Sequence, residues 1–330
     1  MKSLKEINEI IDKENLVISK IGIFDGLSGL ALFKFYYANM LNDDNIAEIG
    51  SELIKKCFHE LNCGYSYPTF CSGIAGLGWV INHLSEEGFI YSNSKDFFTE
   101  YDNYIYKNMI SDLKKGDYDF LHGAIGYAFY FLYRYKSENN FKKKENYKNY
   151  LLRFMELLEQ TSTKEDKNRL KWLSHKGHYS QEDSYNLGLA HGLASIVGIL
   201  SMLAIEPCQT FIKSKLLLRK TINYIWSFNG LNQGNLSIFP NWIPENHNRI
   251  YYNSRVAWCY GDLAIGAQLL YASKVLKDKV LRSNAILVLS HSANRVSKES
   301  SMVNDAMICH RSFGNAQIFF RMYKEIVFVY

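Results

Sequence analysis

Apolar residues fall along this chain in two alternating patterns. In residues 27–40, 74–84, 187–205 and 264–275 nearly every position is apolar or small, as in a helix buried on all sides. Between these lie stretches that are apolar on one side only. Ile46, Ile49, Leu53, Cys57, Phe58 and Leu61 recur at helical spacing, and Tyr147, Tyr150, Leu151, Phe154 and Leu158 repeat the pattern, as does 280–289. Asn45 or Asp44 is placed to cap the first of these, with Glu48 three residues after Asn45 as in a capping box. Alternating strand patterns are nearly absent and there are only 4 prolines, so the expected fold is all-α. Fully apolar helices alternating with one-faced ones predict two concentric layers, an inner and an outer ring.

Self-similarity supports that architecture. A Gly-x-x-small core appears as Asp25-Gly26-Leu27-Ser28-Gly29, Ser72-Gly73-Ile74-Ala75-Gly76, His122-Gly123-Ala124-Ile125-Gly126, His191-Gly192-Leu193-Ala194-Ser195, Tyr260-Gly261-Asp262-Leu263-Ala264 and His310-Arg311-Ser312-Phe313-Gly314. First positions are 47, 50, 69, 69 and 50 residues apart, and each copy opens an apolar helical stretch. Small residues three apart let a neighbouring backbone approach, and glycine at a helix entrance permits a turn that a Cβ would strain. The two long intervals hold irregular segments. Residues 161–185 are polar with mixed charge and read as a surface excursion. Residues 229–254 carry Phe239, Trp242, Tyr251 and Tyr252 around two prolines, either as an aromatic loop that holds a peptide or as a cap folded back on the core.

Composition narrows the function classes. A chain of 330 residues that is 47% hydrophobic and 15% aromatic buries a sizeable core, and a net charge of +5 gives neither a nucleic-acid footprint nor a basic membrane patch. The polar start carries no secretory signal, and the 6 cysteines are not closely paired, which together predict a cytoplasmic protein. Residues 187–205 imitate a membrane span, but weaker copies of the segment recur with polar groups in them, and no span is expected.

In a ring of helices the residues before each repeat glycine share one layer. Cys71, His122, His191, Cys259, Cys309 and His310 occupy it. Cys259, Cys309 and His310 come from neighbouring copies, and two thiols with an imidazole suit a zinc ion that keeps a fourth position open. Cys71, three copies away, reads as a packing thiol. Cys57 belongs to an apolar helix face, Cys63 and Cys208 to connecting turns, and His175 and His178 to the charged excursion.

The motifs Ser254-Arg255-Val256-Ala257-Trp258-Cys259-Tyr260-Gly261, Leu189-Ala190-His191-Gly192 and Ile308-Cys309-His310, set in six repeats, resemble the lanthipeptide cyclase family (lanthionine synthetase C-like) over nearly the whole chain. The resemblance implies an α/α toroid over residues 1–330 as one domain. It implies a zinc ion held by Cys259, Cys309 and His310, with His191 as acid/base, Asp119 as the active-site aspartate and Arg255 near the metal. Trp258 matches the family's tryptophan beside the first ligand. The implied substrate is a dehydrated ribosomal precursor peptide, closed by adding cysteine thiols across dehydroalanine or dehydrobutyrine. A dehydratase and export machinery are the implied partners.

Two features depart from the family pattern. Arginine follows the Cys-His pair at position 311, where the family has glycine. The family ring has seven helix pairs, whereas six repeats are recognisable here, so the sequence reads as lacking the seventh at its C-terminal end. A truncated homologue that binds a peptide or partner without catalysis is therefore the alternative reading. A hydrolase using two of Asp25, Asp119 and Asp262 is a third.

Overall fold

The structure is a computed structural model that describes residues 2–14, 18–91, 98–174, 183–207, 211–231, 233–305, 309 and 312–327. The chain forms two compact units, Met1–Asp112 with Leu121–Phe154, and Leu113–Phe120 with Met155–Tyr330.

In the first unit, α1 (Lys2–Glu14) precedes α2 (Leu27–Leu41), α3 (Asp44–Asn62), α4 (Ile74–Glu86), most of α5 (Thr99–Lys114), α6 (Ala124–Ser137) and most of α7 (Phe141–Gln160). The fully apolar helices pack in succession, α2 on α4 and α4 on α6, while the one-faced α3 lies against α2. Leu53, Cys57 and Leu61 form the buried side of α3, as their spacing predicts. The cap of α3 differs from expectation: Asp43 is the N-cap and accepts from Asn45 N at 3.0 Å, so Asn45 and Asp44 lie inside the helix and Glu48 is not part of a capping box.

Each of α2, α4 and α6 follows a glycine in extended backbone with no side-chain cap. Close approach explains the residue type. A Cβ on Gly73 would stand 2.0 Å from the Tyr67 carbonyl oxygen, inside any tolerable contact. The preceding loop thus doubles back over the first helical turn, and adjoining loops bond to one another. Gly22 N donates to Ser72 O at 2.9 Å, and Cys71 N to Leu121 O at 2.8 Å.

The core of this unit contains a buried cluster of paired charge. Asp102 accepts from Tyr130 (2.7 Å) and Tyr147 (2.6 Å) and faces the Arg134 guanidinium at 3.5 Å, with Arg134 and Asp102 4% and 5% exposed. Removing one member of a buried pair leaves the other uncompensated. Asp102→Ala is therefore expected to cost about 3–5 kcal/mol, read as a lowered denaturation midpoint in urea.

The second unit contains α8 (Leu193–Ile205), α9 (Ile212–Trp226), α10 (Gly261–Leu276), α11 (Lys279–Asn294), the single turn α12 (Lys298–Ser301) and α13 (Ser312–Val327). α8 packs on α9 and α10, and α10 also on α11 and α13. The membrane-like segment is helical only over the 13 residues of α8, about 20 Å at ~1.5 Å per residue. Among the described residues no helix is long and apolar enough to cross a membrane. The segment is instead interior, with Leu193, Ile196, Val197 and Leu200 all fully buried.

Both irregular intervals contain short strands. β1 (Thr163–Asp166) pairs with β2 (Arg169–Lys171), and β3 (Ser184–Asn186) pairs antiparallel with β4 (Trp242–Pro244). The excursion at 161–185 is not wholly on the surface: Leu170, Trp172 and Tyr185 are buried, and Trp172 Nε1 donates to Leu158 O at 2.7 Å. Three apolar side chains in a polar segment were enough to fasten its ends. His175, His178 and Cys208 lie outside the described residues. In 229–254, Ile238, Phe239 and Ile243 are buried as a cap on the core, whereas Trp242 is half-buried and Tyr251 is exposed.

Candidate active site

Backbone hydrogen bonds stitch the helix-entrance loops of the second unit to one another. Phe120 N donates to Ala190 O (3.2 Å), Leu189 N and Ala190 N donate to Cys259 O (2.9 and 3.2 Å), and Cys259 N donates to Cys309 O (3.3 Å). The repeat register read from the sequence thereby becomes a physical ladder. It lines up the segments that carry Asp119, His191, Cys259 and Cys309.

Asp119 and His191, 72 residues apart, meet with Asp119 Oδ2 2.6 Å from His191 Nδ1. Both are largely buried, with side chains 9% and 12% exposed. Asp119 itself is set by a tight turn in which its N–H donates to Asp117 Oδ1 at 3.2 Å. With Nδ1 committed to the carboxylate, proton exchange with a ligand falls to Nε2.

The thiols of Cys259 and Cys309 are hydrogen-bonded to each other. Cys259 is buried and Cys309 half-buried. The bond to Cys309, and then burial, hold the Cys259 thiol far above the ordinary cysteine range, and the charge of Arg255 opposes them. Arg255 is half-buried, and Trp258 meets the Phe120 ring edge-on with centroids 6.3 Å apart. Gly261, the repeat glycine that follows, needs to be glycine on two counts: its φ is +82°, and a Cβ would stand 2.2 Å from Arg255 O.

Two soft sulfur donors side by side fit a zinc site. Among the described residues no group of three His, Cys, Asp or Glu side chains is placed to hold a metal, and His310, the third predicted ligand, lies outside them, as does Arg311. Cys71 and His122 belong to the first unit. There burial and then the charge of Asp25 push the Cys71 thiol up to about 11.

Two residues of the same neighbourhood, Tyr260 and Asn186, were given no role from the sequence. Tyr260 lies 6.0 Å from His191 and 5.8 Å from Trp242 between ring centroids, and the fully buried Asn186 donates to Tyr260 OH at 3.4 Å. Asp262, a candidate acid in the hydrolase reading, accepts instead from the backbone N–H groups of Ile238 (2.9 Å) and Phe239 (2.8 Å). Its place in the motif, right after the repeat glycine, was the available signal.

The fold and the site together define an all-α repeat protein whose helix-entrance loops gather an Asp–His couple and a cysteine pair. Residues 18–327 match the sequence profile of the family described as Lanthionine synthetase C-like protein, and the chain belongs to that family. It is 25% identical over 335 residues to the nisin biosynthesis protein NisC of Lactococcus lactis subsp. lactis, covering 93% of this chain and 75% of that protein. Among solved structures it is similar to a nisin cyclase, with a TM-score of 0.79 at 22% identity, over 99% of this chain and 82% of that one. That likeness shows the fold class, an α/α toroid.

Proposed function

We propose that this protein is a lanthionine- and methyllanthionine-forming cyclase acting on a dehydrated ribosomal precursor peptide in the cytoplasm, with a dehydratase upstream and an exporter downstream. The observation that carries the reading is the Cys259–Cys309 thiol pair joined through the Cys259 carbonyl to the loop that presents His191. Membership of the family and the similarity to a nisin biosynthesis protein support it.

Cys259, Cys309 and His310 would hold zinc. When bound, the ion lowers the pKa of a coordinated substrate thiol from about 8.5 so that it is a thiolate near neutrality. The reaction forms a bond between the peptide's cysteine sulfur and the β-carbon of dehydroalanine or dehydrobutyrine. The alkene π electrons move onto the adjacent carbonyl as an enolate, and the thiol proton is released. His191 supplies the proton that returns to the α-carbon, through Nε2, while Asp119 holds Nδ1 and fixes the orientation of the ring. Arg255, whose charge reaches the thiol pair, stabilises the oxyanion of the enolate. One proton leaves sulfur and one arrives at carbon, so the peptide's mass does not change.

The test is a count of free thiols. A dehydrated precursor peptide incubated with the zinc-loaded protein and then alkylated is expected to lose one alkylation per ring formed, read by mass spectrometry. Peptide binding without any loss of alkylation would overturn the cyclase reading in favour of the non-catalytic scaffold.

A further inference from the structure

Arg295 is an unusual side chain to find 7% exposed, because a buried guanidinium is costly and contributes little net stability even when paired. Each of its three nitrogens has a partner. Nη1 reaches Asp262 Oδ2 at 3.4 Å, Nη2 donates to Ser254 O, and Nε donates to Ser300 O at 2.8 Å. Each contact lands on a segment leading to a cysteine. Ser254 opens the loop 254–260 that carries Arg255 and Cys259, and Asp262 closes it at the start of α10. Ser300 belongs to α12, whose last residue, Ser301, accepts from Val256 N at 2.9 Å, and the chain runs on from there to Cys309.

The loop is fastened from other sides as well. Ser254 N donates to Ser237 Oγ at 3.1 Å, and Asn315 Nδ2 donates to Val256 O at 2.7 Å. Asp262 is fully buried, holds Ile238 and Phe239 by their N–H groups, and has His291 Nδ1 3.3 Å from its Oδ2. Among these side chains, Arg295 reaches both ends of the loop that carries Cys259, at Ser254 and Asp262, and also α12, from which the chain leads to Cys309. A planar fork with donors spread over three nitrogens can span these partners, whereas the donors of a lysine ammonium all sit on one atom.

We infer that Arg295, oriented by Asp262, is a positioning residue that holds the Cys259 and Cys309 segments in register, so that the two thiols stand together ready for a metal. The inference deepens the cyclase reading and rests on it for the identity of the metal, but the register of the two thiols is a property of the metal-free chain. A purely stabilising role predicts that any equal loss of stability has the same effect; a positioning role predicts an effect confined to this loop.

The experiment compares Arg295→Lys, Arg295→Met and Asp262→Asn with Leu84→Ala, a core truncation in the first unit, in proteins whose far-ultraviolet circular dichroism shows them folded. Zinc affinity is measured by competition with a chromophoric chelator. In parallel, the metal-free proteins are oxidised with diamide, which takes one hydrogen from each thiol as the Cys259–Cys309 disulfide forms. The clamp variants are expected to bind zinc at least about tenfold more weakly and to form the disulfide more slowly, with Leu84→Ala unchanged in both. Wild-type values in the clamp variants, or an equal loss in Leu84→Ala, would overturn the inference. A wild-type chain that binds no zinc would sink the cyclase reading, and the oxidation rates would still decide the role of Arg295.

Discussion

Cys259→Ala is expected to purify without zinc and to lose cyclisation activity by at least about 100-fold, the upper end of what is lost when a group merely supporting a metal ligand is removed. A direct donor is worth no less. The substitution should spare the fold. The Cys259 backbone keeps its bonds from Leu189 N and Ala190 N and its bond to Cys309 O, none of which involves the sulfur. Deleting one sulfur from a site 6% exposed costs a stability loss of roughly 1 kcal/mol. Zinc per chain, melting temperature and alkylated thiols, measured on one preparation, separate loss of metal from loss of structure. Cys71→Ala is the control, because Cys71 is equally buried but lies in the other unit. It is expected to keep both zinc and activity. An active Cys259→Ala protein with full zinc would remove this thiol from the ligand set.

The alternation of two helix types and the sixfold repeat were legible because both arise from packing over a few consecutive residues. A stretch apolar all round must be enclosed, and the glycines that open three of the inner helices, Gly73, Gly192 and Gly261, are demanded by a carbonyl 2.0–2.3 Å from where a Cβ would be. That the loops carrying His191, Cys259 and Cys309 adjoin followed from the same register. What it could not supply were the bonds between loops. The pairing of Asp119 with His191 was not legible, since nothing around Asp119 in the chain marks it as the partner of a histidine 72 residues away. Tyr260 and Trp242 meet only because β4 pairs with β3, a contact across more than 50 residues that short strands do not announce. Nothing in the sequence sets Arg295 apart, because its three partners are a backbone oxygen before, a backbone oxygen after and a carboxylate 33 residues away. The cap of α3 was beyond local reading: four consecutive polar residues, Asn42 to Asn45, precede Ile46, and only geometry selects Asp43 among them.

The Asp119–His191 couple leads to the second large effect. His191→Ala is expected to lower kcat by about 10²–10⁴-fold, the range for removing a positioned general acid, while leaving zinc at one per chain. Asp119→Asn keeps an oxygen in the same place but removes the carboxylate that holds His191 Nδ1, and it is expected to lower kcat by a smaller factor. The double variant decides whether the two act as a unit. If Asp119 works only through the imidazole nitrogen 2.6 Å away, replacing it in the His191→Ala background should cost less than about twofold more. Fully multiplicative losses would mean that Asp119 meets the peptide on its own account. The comparison uses single-turnover rates on a precursor peptide with one dehydroalanine and one cysteine, so that product release does not mask the protonation step. Unchanged rates in His191→Ala would pass the proton-donating role to another group within reach of the thiol pair, and Tyr260, 6.0 Å from the His191 ring, is the first to replace next.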